Sequence, residues 1–320
     1  MSGSSIPYHL RTNKAVDRQI FLDLLKKVSQ ENPLDNYKYI SLGGPMLEDF
    51  RQIHTELGLI NLESIEVDAG VIDRQLFNKP FSCISCVESS TSDYITNFNR
   101  IGPTIFWLDY TNLDLSEQFR DCEALLRQLT NLDILKITFN VNPEVICPHG
   151  RVEEYRSVVS DEYMYPDLGD IDINTMSSLP ITVSKTIKMI CDKVFEGEDF
   201  SANPLTLFRY IDNRHQMLTA TLILMPDNDQ EIESLISKLG LSQWPFLVSD
   251  WEDVHEIKVP DLTQKEKMLI NQFVPGRSAE DIFAAIGFKL CPGRSRETKK
   301  LLENYIKYYR YIPNFQRLAI

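Results

Sequence analysis

The chain has 320 residues with 33 Lys and Arg against 46 Asp and Glu, which gives a formal net charge of -13, and 43% of its residues are hydrophobic. This is ordinary globular composition, with enough length for one large hydrophobic core or two modest ones. No apolar run approaches the roughly 18 residues of a membrane-spanning helix, and the first residues lack an apolar signal core. Six cysteines are too few for a disulfide scaffold, so we expect free thiols in a cytoplasmic protein. The acidic balance also excludes a protein that grips nucleic acid with its whole surface.

The chain up to Asn140 alternates between helix-like and strand-like segments. Apolar residues at three- and four-residue spacing predict a helix over 13–30. Mostly apolar runs predict strands at 37–42, 62–68, 82–87, 104–110 and 133–140, and helices are predicted between them at 46–57, 70–78, 93–98 and 116–129. Pro45 is expected in the first turn of the helix at 46–57. Buried strands interleaved with helices indicate an α/β fold with a doubly wound, mostly parallel sheet.

This alternation stops at Asn142. Residues 143–180 show no clear period and predict a long insertion or lid. A helix at 181–195 is followed by two apolar runs, 205–211 and 216–224, which predict an antiparallel hairpin that ends the sheet. The rest is predicted to be mostly helical, with helices at 229–239, 263–273, 278–286 and 295–311 and with Thr263 and Ser278 as N-caps. We therefore expect a sheet domain at 1–226 and a helical C-terminal subdomain at 227–320.

Polar residues and glycines follow the predicted strands at the carboxyl edge, where open α/β sheets bind their ligands. In strand order they are Gly43 and Gly44, Glu66 and Asp68, Glu88 and Ser89, Asp109, Tyr110 and Asn112, and Asn140 and Asn142. Adjacent glycines let the backbone approach a ligand closely, and a carboxylate can accept both hydroxyls of a ribose. Each feature alone is as typical of a tight turn or a helix cap as of a ligand-binding site. Their joint placement predicts a nucleoside-binding site.

Together with the terminal hairpin, these strand ends resemble the class I S-adenosylmethionine-dependent methyltransferases over about residues 37–225. The run Ser64-Ile-Glu-Val-Asp68 is similar to that family's second-strand motif. The resemblance implies S-adenosylmethionine as cofactor, bound by Gly43, Gly44, Glu66, Asp68, Glu88, Ser89 and Asp109. In this arrangement the glycines face the amino-acid part of the cofactor, Glu66 binds the ribose, and Glu88 with Ser89 lies near the adenine.

The same resemblance implies methyl transfer to an unidentified oxygen or nitrogen acceptor. Asp109 and Tyr110 would then lie near the transferred methyl as the catalytic pair, with Asp109 positioning or deprotonating the acceptor. Asn112, Asn140 and Asn142 are the expected substrate contacts.

Two departures from the family pattern support an alternative function. Ser41 stands where the family commonly has an acid, and Pro45 to Leu47 follow where a third glycine is common. The alternative is a Rossmann-like subunit that has lost catalysis and senses a nucleotide or binds a partner within a larger complex.

The N-terminal segment Tyr8-His-Leu-Arg-Thr-Asn-Lys14 is basic and leads into the first helix. Arg11 or Lys14 could pair with a carboxylate or a phosphate. The slightly favoured interpretation is a flexible terminus in which Thr12 or Asn13 caps the helix.

Cys83 and Cys86 have the CxxC spacing of metal sites, but no second pair follows them. In a strand their side chains point to opposite faces, so two packed thiols are the better interpretation. The histidines also lack the spacing of metal ligands, and we predict no metal site.

The C-terminal residues 289–320 carry eight Lys and Arg and two acids, a local charge of +6, with tyrosines interleaved. Such a mixture can bind nucleic acid, and Tyr with Arg also suits a protein partner. The favoured alternative is a helix that packs its aromatic side chains on the core and exposes its lysines.

Overall fold

A computed structural model describes residues 11–110, 112–291 and 293–313. Tyr8, at the start of the basic N-terminal segment, and residues 314–320 of the basic C-terminal segment lie outside these ranges. Within them the chain forms an eight-stranded sheet in the order β3-β2-β1-β4-β5-β7-β6-β8. The strands are β1 Lys38–Leu42, β2 Leu62–Glu66, β3 Ile84–Glu88, β4 Thr104–Asp109, β5 Ile134–Asn140, β6 Phe200–Asp212, β7 His215–Pro226 and β8 His255–Ile257. The strands from β1 to β5 are parallel, and β7 runs antiparallel to both β5 and β6. This confirms the predicted α/β class and its antiparallel hairpin.

Helices cover both faces of the sheet. They are α1 Thr12–Glu31, α2 Glu48–Leu57, α3 Ala69–Asn78, α4 Thr91–Thr96, α5 Leu115–Leu126, α6 Pro143–Ile146, α7 Val152–Val158, α8 Ser178–Val194, α9 Asp229–Lys238, α10 Gln264–Asn271, α11 Ala279–Ile286 and α12 Ser295–Tyr308. Alternate strand residues supply two separate cores. Tyr39 and Trp107 pack with α1, α2 and the C-terminal helices. Ile40 and Phe106 pack with α5 and α8 on the opposite face.

Helix α1 buries the predicted apolar residues, among them Val16, Ile20 and Leu24. Its N-cap is Arg11, whose side chain makes no capping hydrogen bond. The expectation that Thr12 or Asn13 caps this helix is therefore wrong. The Asn13 side chain instead donates to the Ile211 carbonyl and accepts from the Val259 amide, so it joins α1 to the hairpin and to the segment after β8.

Helix α2 begins two residues later than predicted. Pro45 lies in the preceding turn rather than in the helix, and Leu47 takes a left-handed conformation with φ 50° as the N-cap. The five residues from Gly43 to Leu47 thus separate the end of β1 from the first residue of α2.

The insertion at 143–180 is less irregular than predicted. It holds the short helices α6 and α7 and two 3-10 turns, and it buries Tyr155, Tyr163 and Ile173 in the core beside α5 and α8. Helices of one or two turns are too short to show a 3.6-residue period in the sequence. Strand β8 was not predicted either, because three residues are too few to show the alternation of a strand in the sequence.

The C-terminal helices confirm their predicted caps. Thr263 and Ser278 each accept a hydrogen bond from the third residue of the following helix. In α12 the rings of Tyr305 and Tyr308 are buried, and Tyr308 stacks on Phe246 with centroids 5.6 Å apart. These two rings are therefore not accessible to nucleic-acid bases.

Over the described ranges, none of the helices combines the length and the apolar character that crossing a membrane requires.

Candidate functional site

A cleft of about 260 Å³ opens at the carboxyl edge of the sheet. It lies where the strand order reverses between β1 and β4, which is where doubly wound sheets form a crevice. Its described lining residues are Leu42, Gly43, Gly44, Ile65, Glu66, Val67, Ser89, Ser90, Thr91, Asp109, Tyr110, Asn112, Glu117 and Asp121. Seven of the predicted site residues meet here: Gly43, Gly44, Glu66, Ser89, Asp109, Tyr110 and Asn112.

The backbone at Gly43 is packed too closely for any side chain. A Cβ atom at Gly43 would lie 1.9 Å from Ser64 Oγ and 3.1 Å from Gln75 Nε2. The Gly43 carbonyl also accepts a hydrogen bond from the Gln75 side-chain amide. Glycine at this position is therefore required by β2 and α3, and the close packing fixes the loop that borders the cleft.

The two acids at the end of β2 have different surroundings. Glu66 is 8% exposed, and its Oε1 accepts the Val67 amide at 2.9 Å and the Asp68 amide at 3.0 Å. These bonds orient a carboxylate that lines the cleft. Asp68 lies outside the lining, and its Oδ1 accepts the Gly70 and Val71 amides as the N-cap of α3. The structure thus gives Glu66 a place in the cleft and Asp68 a capping role.

The end of β3 also separates its two predicted residues. Ser89 lines the cleft, and its amide donates to the Glu66 carbonyl at 3.0 Å. Glu88 is exposed and lies outside the lining. Ser90, which borders the cleft next to Ser89, caps α4 by accepting the Asp93 amide.

Asp109, at the end of β4, is 8% exposed and forms ion pairs with α1. Its Oδ2 lies 2.8 Å from Lys14 Nζ and 3.5 Å from Arg18 Nη2. Burial opposes ionisation of Asp109, but the two cations outweigh it and lower its pKa below the usual value. A carboxylate with a lowered pKa is a poor base, so this geometry favours a positioning role over deprotonation of an acceptor.

Tyr110 contributes a wall of the cleft. Its hydroxyl donates to Asp121 Oδ2 at 2.7 Å, and burial together with that carboxylate raises the pKa of Tyr110 well above its usual value. Burial also raises the pKa of Asp121, which accepts a second hydrogen bond from Ser92. Tyr110 is therefore held neutral.

The three predicted asparagines do not come together. Asn112 lines the cleft and accepts from the Gln118 side chain through its carbonyl and its Oδ1. Asn140 and Asn142 lie outside the lining: Asn140 Oδ1 accepts the Asn142 amide, and Asn142 caps α6. The side-chain Nδ2 of Asn142 also donates to the Arg214 carbonyl in the hairpin turn at 3.3 Å.

Sequence reasoning missed the acidic side of the cleft that α5 supplies. Glu117 and Asp121 lie one helical turn apart and line the cleft with Glu66 and Asp109. The described lining thus has four carboxylates and no Lys, Arg or His. Within the sequence, the only signal was the four-residue spacing of these two acids, which is equally typical of a solvated helix face.

One comparison with known proteins assigns a family. A family model described as "Putative O-methyltransferase" matches residues 6–320. A search of the curated proteins found no match. The fold is similar to that of the N-methyltransferase NodS from Bradyrhizobium japonicum WM9, with 12% identity and a TM-score of 0.40 over 66% of this chain and 97% of that one. It is also similar to Trm1 from Pyrococcus horikoshii in complex with S-adenosyl-L-methionine, with 12% identity and a TM-score of 0.43 over 69% of this chain and 57% of that one. At these scores the likeness assigns no activity.

Proposed function

The chain belongs to this O-methyltransferase family, and we propose that it transfers a methyl group from S-adenosylmethionine to an oxygen acceptor, with the cofactor bound in the cleft between β1 and β4. The observation that carries the proposal is the convergence on one crevice of Gly43, Gly44, Glu66, Ser89 and Asp109 from four consecutive parallel strands. Membership of an O-methyltransferase family does not favour the alternative of a subunit without catalysis.

The residues of the cleft fit this cofactor. When bound, S-adenosylmethionine supplies an activated methyl on a positively charged sulfonium, and a lining of four carboxylates suits a cation. Glu66, held by two backbone amides, is placed to accept the ribose hydroxyls. Oδ1 of Asp109 is buried and has no hydrogen-bond partner among the described residues, so it can accept from a donor on the cofactor.

The proposal defines the methyl acceptor only by its oxygen atom. Methyl transfer is a displacement that mainly requires alignment of the two reactants. Asp109 and Tyr110 border the place where alignment occurs, but the low pKa of Asp109 and the engaged hydroxyl of Tyr110 make both positioning groups rather than bases. Asn112, at the rim of the cleft, is the lining residue best placed to contact an acceptor.

Calorimetric titration with S-adenosylmethionine and its demethylated product S-adenosylhomocysteine tests the proposal. We expect stoichiometric binding of both, and transfer of labelled methyl to hydroxyl or carboxyl acceptors. Absence of binding heat with both ligands, on protein whose circular dichroism shows a folded α/β chain, would refute the proposed function.

The proposal also includes a cellular location for the protein and a partner for its basic C-terminal residues. The six free cysteines support a reducing, cytoplasmic environment. For the basic C-terminal residues we retain a protein or nucleic-acid partner as a proposal, although Arg294 and Lys299 already pair with Glu297 and Glu280. A gel shift that is salt-dependent and requires residues 289–320 would support the nucleic-acid version.

A further inference from the structure

Helix α1 presents charged side chains on the face that it buries. Lys14, Asp17 and Arg18 are each 3% exposed or less, and they share that face with the apolar Phe21. Charged side chains are seldom buried to this extent unless they are paired. Their ion-pair partners among the described residues are Asp109 on β4, Asp49 on α2 and Lys136 on β5.

Two of these contacts reach the cleft. Lys14 binds Asp109 Oδ2, and Arg18 contacts the same oxygen at 3.5 Å while its Nη2 donates to Asp49 Oδ2 at 3.0 Å. Asp49 lies in the first turn of α2, the helix that follows the loop containing Gly43 and Gly44. Helix α1 therefore joins the β4 wall of the cleft to the element that follows Gly43 and Gly44.

The third contact of α1 lies elsewhere. Lys136 Nζ donates to Asp17 Oδ1 at 2.8 Å and lies 4.9 Å from the centroid of the Trp107 ring. Both members of this pair are 1% exposed, and neither lines the cleft. This ion pair anchors α1 in the same way, but Lys136, unlike Lys14 and Arg18, forms no ion pair with Asp109, so it provides an internal control.

We propose that Lys14 is a positioning residue of the cofactor site: it holds the Asp109 carboxylate at the cleft so that Oδ1 remains for a donor group of the cofactor. The inference rests on the proposed function, because that donor belongs to S-adenosylmethionine. Its warrant is the arrangement of Asp109, which lines the cleft with Oδ2 engaged by α1 and Oδ1 buried without a partner among the described residues. Asp17 shows the same pattern, with Oδ2 unpartnered, but lies outside the lining. A buried acceptor without a donor costs free energy, which a bound ligand recovers.

Lys14 also controls the charge that Asp109 presents. The groups that interact electrostatically with Asp109 are Lys14 and Arg18 from α1, Arg11 at its N-cap, Tyr39 from β1, Lys136 from β5 and Tyr210 from β6. Asp49 from α2 shares Arg18 with Asp109. Burial favours the protonated form of Asp109. If the Lys14 ammonium is removed, Arg18 is the main group that still favours the ionised form, so the pKa of Asp109 rises. Affinity for the cofactor then decreases as the pH is lowered, because the protonated acid no longer attracts a cation.

The experiment compares Lys14→Met with Lys136→Met in the full chain. Each substitution leaves one buried carboxylate without its lysine, so both should lower the melting temperature. We expect Lys14→Met to weaken S-adenosylmethionine binding by roughly tenfold or more, and the loss to grow as the pH is lowered, because the pKa of Asp109 is higher in this variant. Lys136→Met should keep the affinity and the flat pH profile of the parent, and Lys14→Arg should restore most of the binding.

Each outcome decides the inference. Equal affinities and equal pH profiles for Lys14→Met and Lys136→Met would overturn it while the proposed function stands. A parent protein that binds no S-adenosylmethionine would overturn both. If Lys14→Met does not fold, the double variant Lys14→Met with Asp109→Asn removes both charges; we expect weak binding without pH dependence, and parental affinity would refute the inference.

Discussion

The Tyr110 hydroxyl donates to Asp121 Oδ2 at 2.7 Å, which ties the end of β4 to α5 within the lining of the cleft. Since this proton is engaged and the pKa of Tyr110 is raised, Tyr110 does not exchange a proton with an acceptor. We predict that Tyr110→Phe lowers the free energy of unfolding by about 1–2 kcal/mol and leaves the pH dependence of methyl transfer unchanged. Denaturant unfolding and a pH–rate profile check this. A rate that collapses at parental stability would assign Tyr110 a chemical role instead.

The two acids after β2 should separate binding from stability. Glu66 lines the cleft and is oriented by two amides, so Glu66→Ala should weaken S-adenosylmethionine binding by roughly tenfold or more. Asp68 caps α3 outside the cleft, so Asp68→Ala should cost about 1 kcal/mol of stability and preserve the affinity. Calorimetry and thermal unfolding of both variants measure the two effects. A loss of affinity in Asp68→Ala alone would reverse the assignment.

Gly43 should tolerate no side chain. The Cβ of Gly43→Ala would lie 1.9 Å from the buried Ser64 Oγ, so the loop must shift, at a cost of about 1–3 kcal/mol and with loss of cofactor binding. Gly102→Ala is the matched control, because its Cβ would meet the Asn36 carbonyl at an ordinary 3.7 Å. We expect a change within about 0.5 kcal/mol for the control. Equal unfolding midpoints for the two variants would show that the loop is not tightly packed.

Most of the fold was predictable because its signals are local. Runs such as 104–110 and 133–140 are continuous and apolar, as strands covered on both faces must be, and the hairpin follows from two such runs around a short polar turn. The elements that escaped prediction were too short to show a period. Strand β8 has three residues and is a strand only because β6 lies beside it.

The site was predictable only in part. The parallel strands place Gly43, Glu66, Ser89 and Asp109 at one edge, and that follows from topology alone. The capping roles of Asp68 and Asn142 and the exposure of Glu88 depend on where each chain turns, which a strand end does not reveal. The prediction that Arg11 or Lys14 could pair with a carboxylate is confirmed for both, with Asp212 and Asp109 as the partners. The sequence could not identify Asp109, because the Lys14 contact joins residues 95 positions apart.

His255 on β8 should make stability fall in mild acid. Burial, aided by Lys307, lowers the pKa of His255 below its ordinary 6.5 against the opposing effect of Asp253. Its Nδ1 is buried and has no hydrogen-bond partner among the described residues, so an imidazolium there would leave a donor unsatisfied. Because the unfolded chain then binds more protons than the folded one, the free energy of unfolding should decrease as the pH falls below about 6.5, until the folded pKa is reached.

The variant His255→Gln should reduce the slope of the free energy of unfolding against pH. Lys307→Met should reduce it as well, since removal of the cation raises the pKa of His255. Urea unfolding at a series of pH values measures the slopes, and a parental slope in both variants would exclude His255 as its origin.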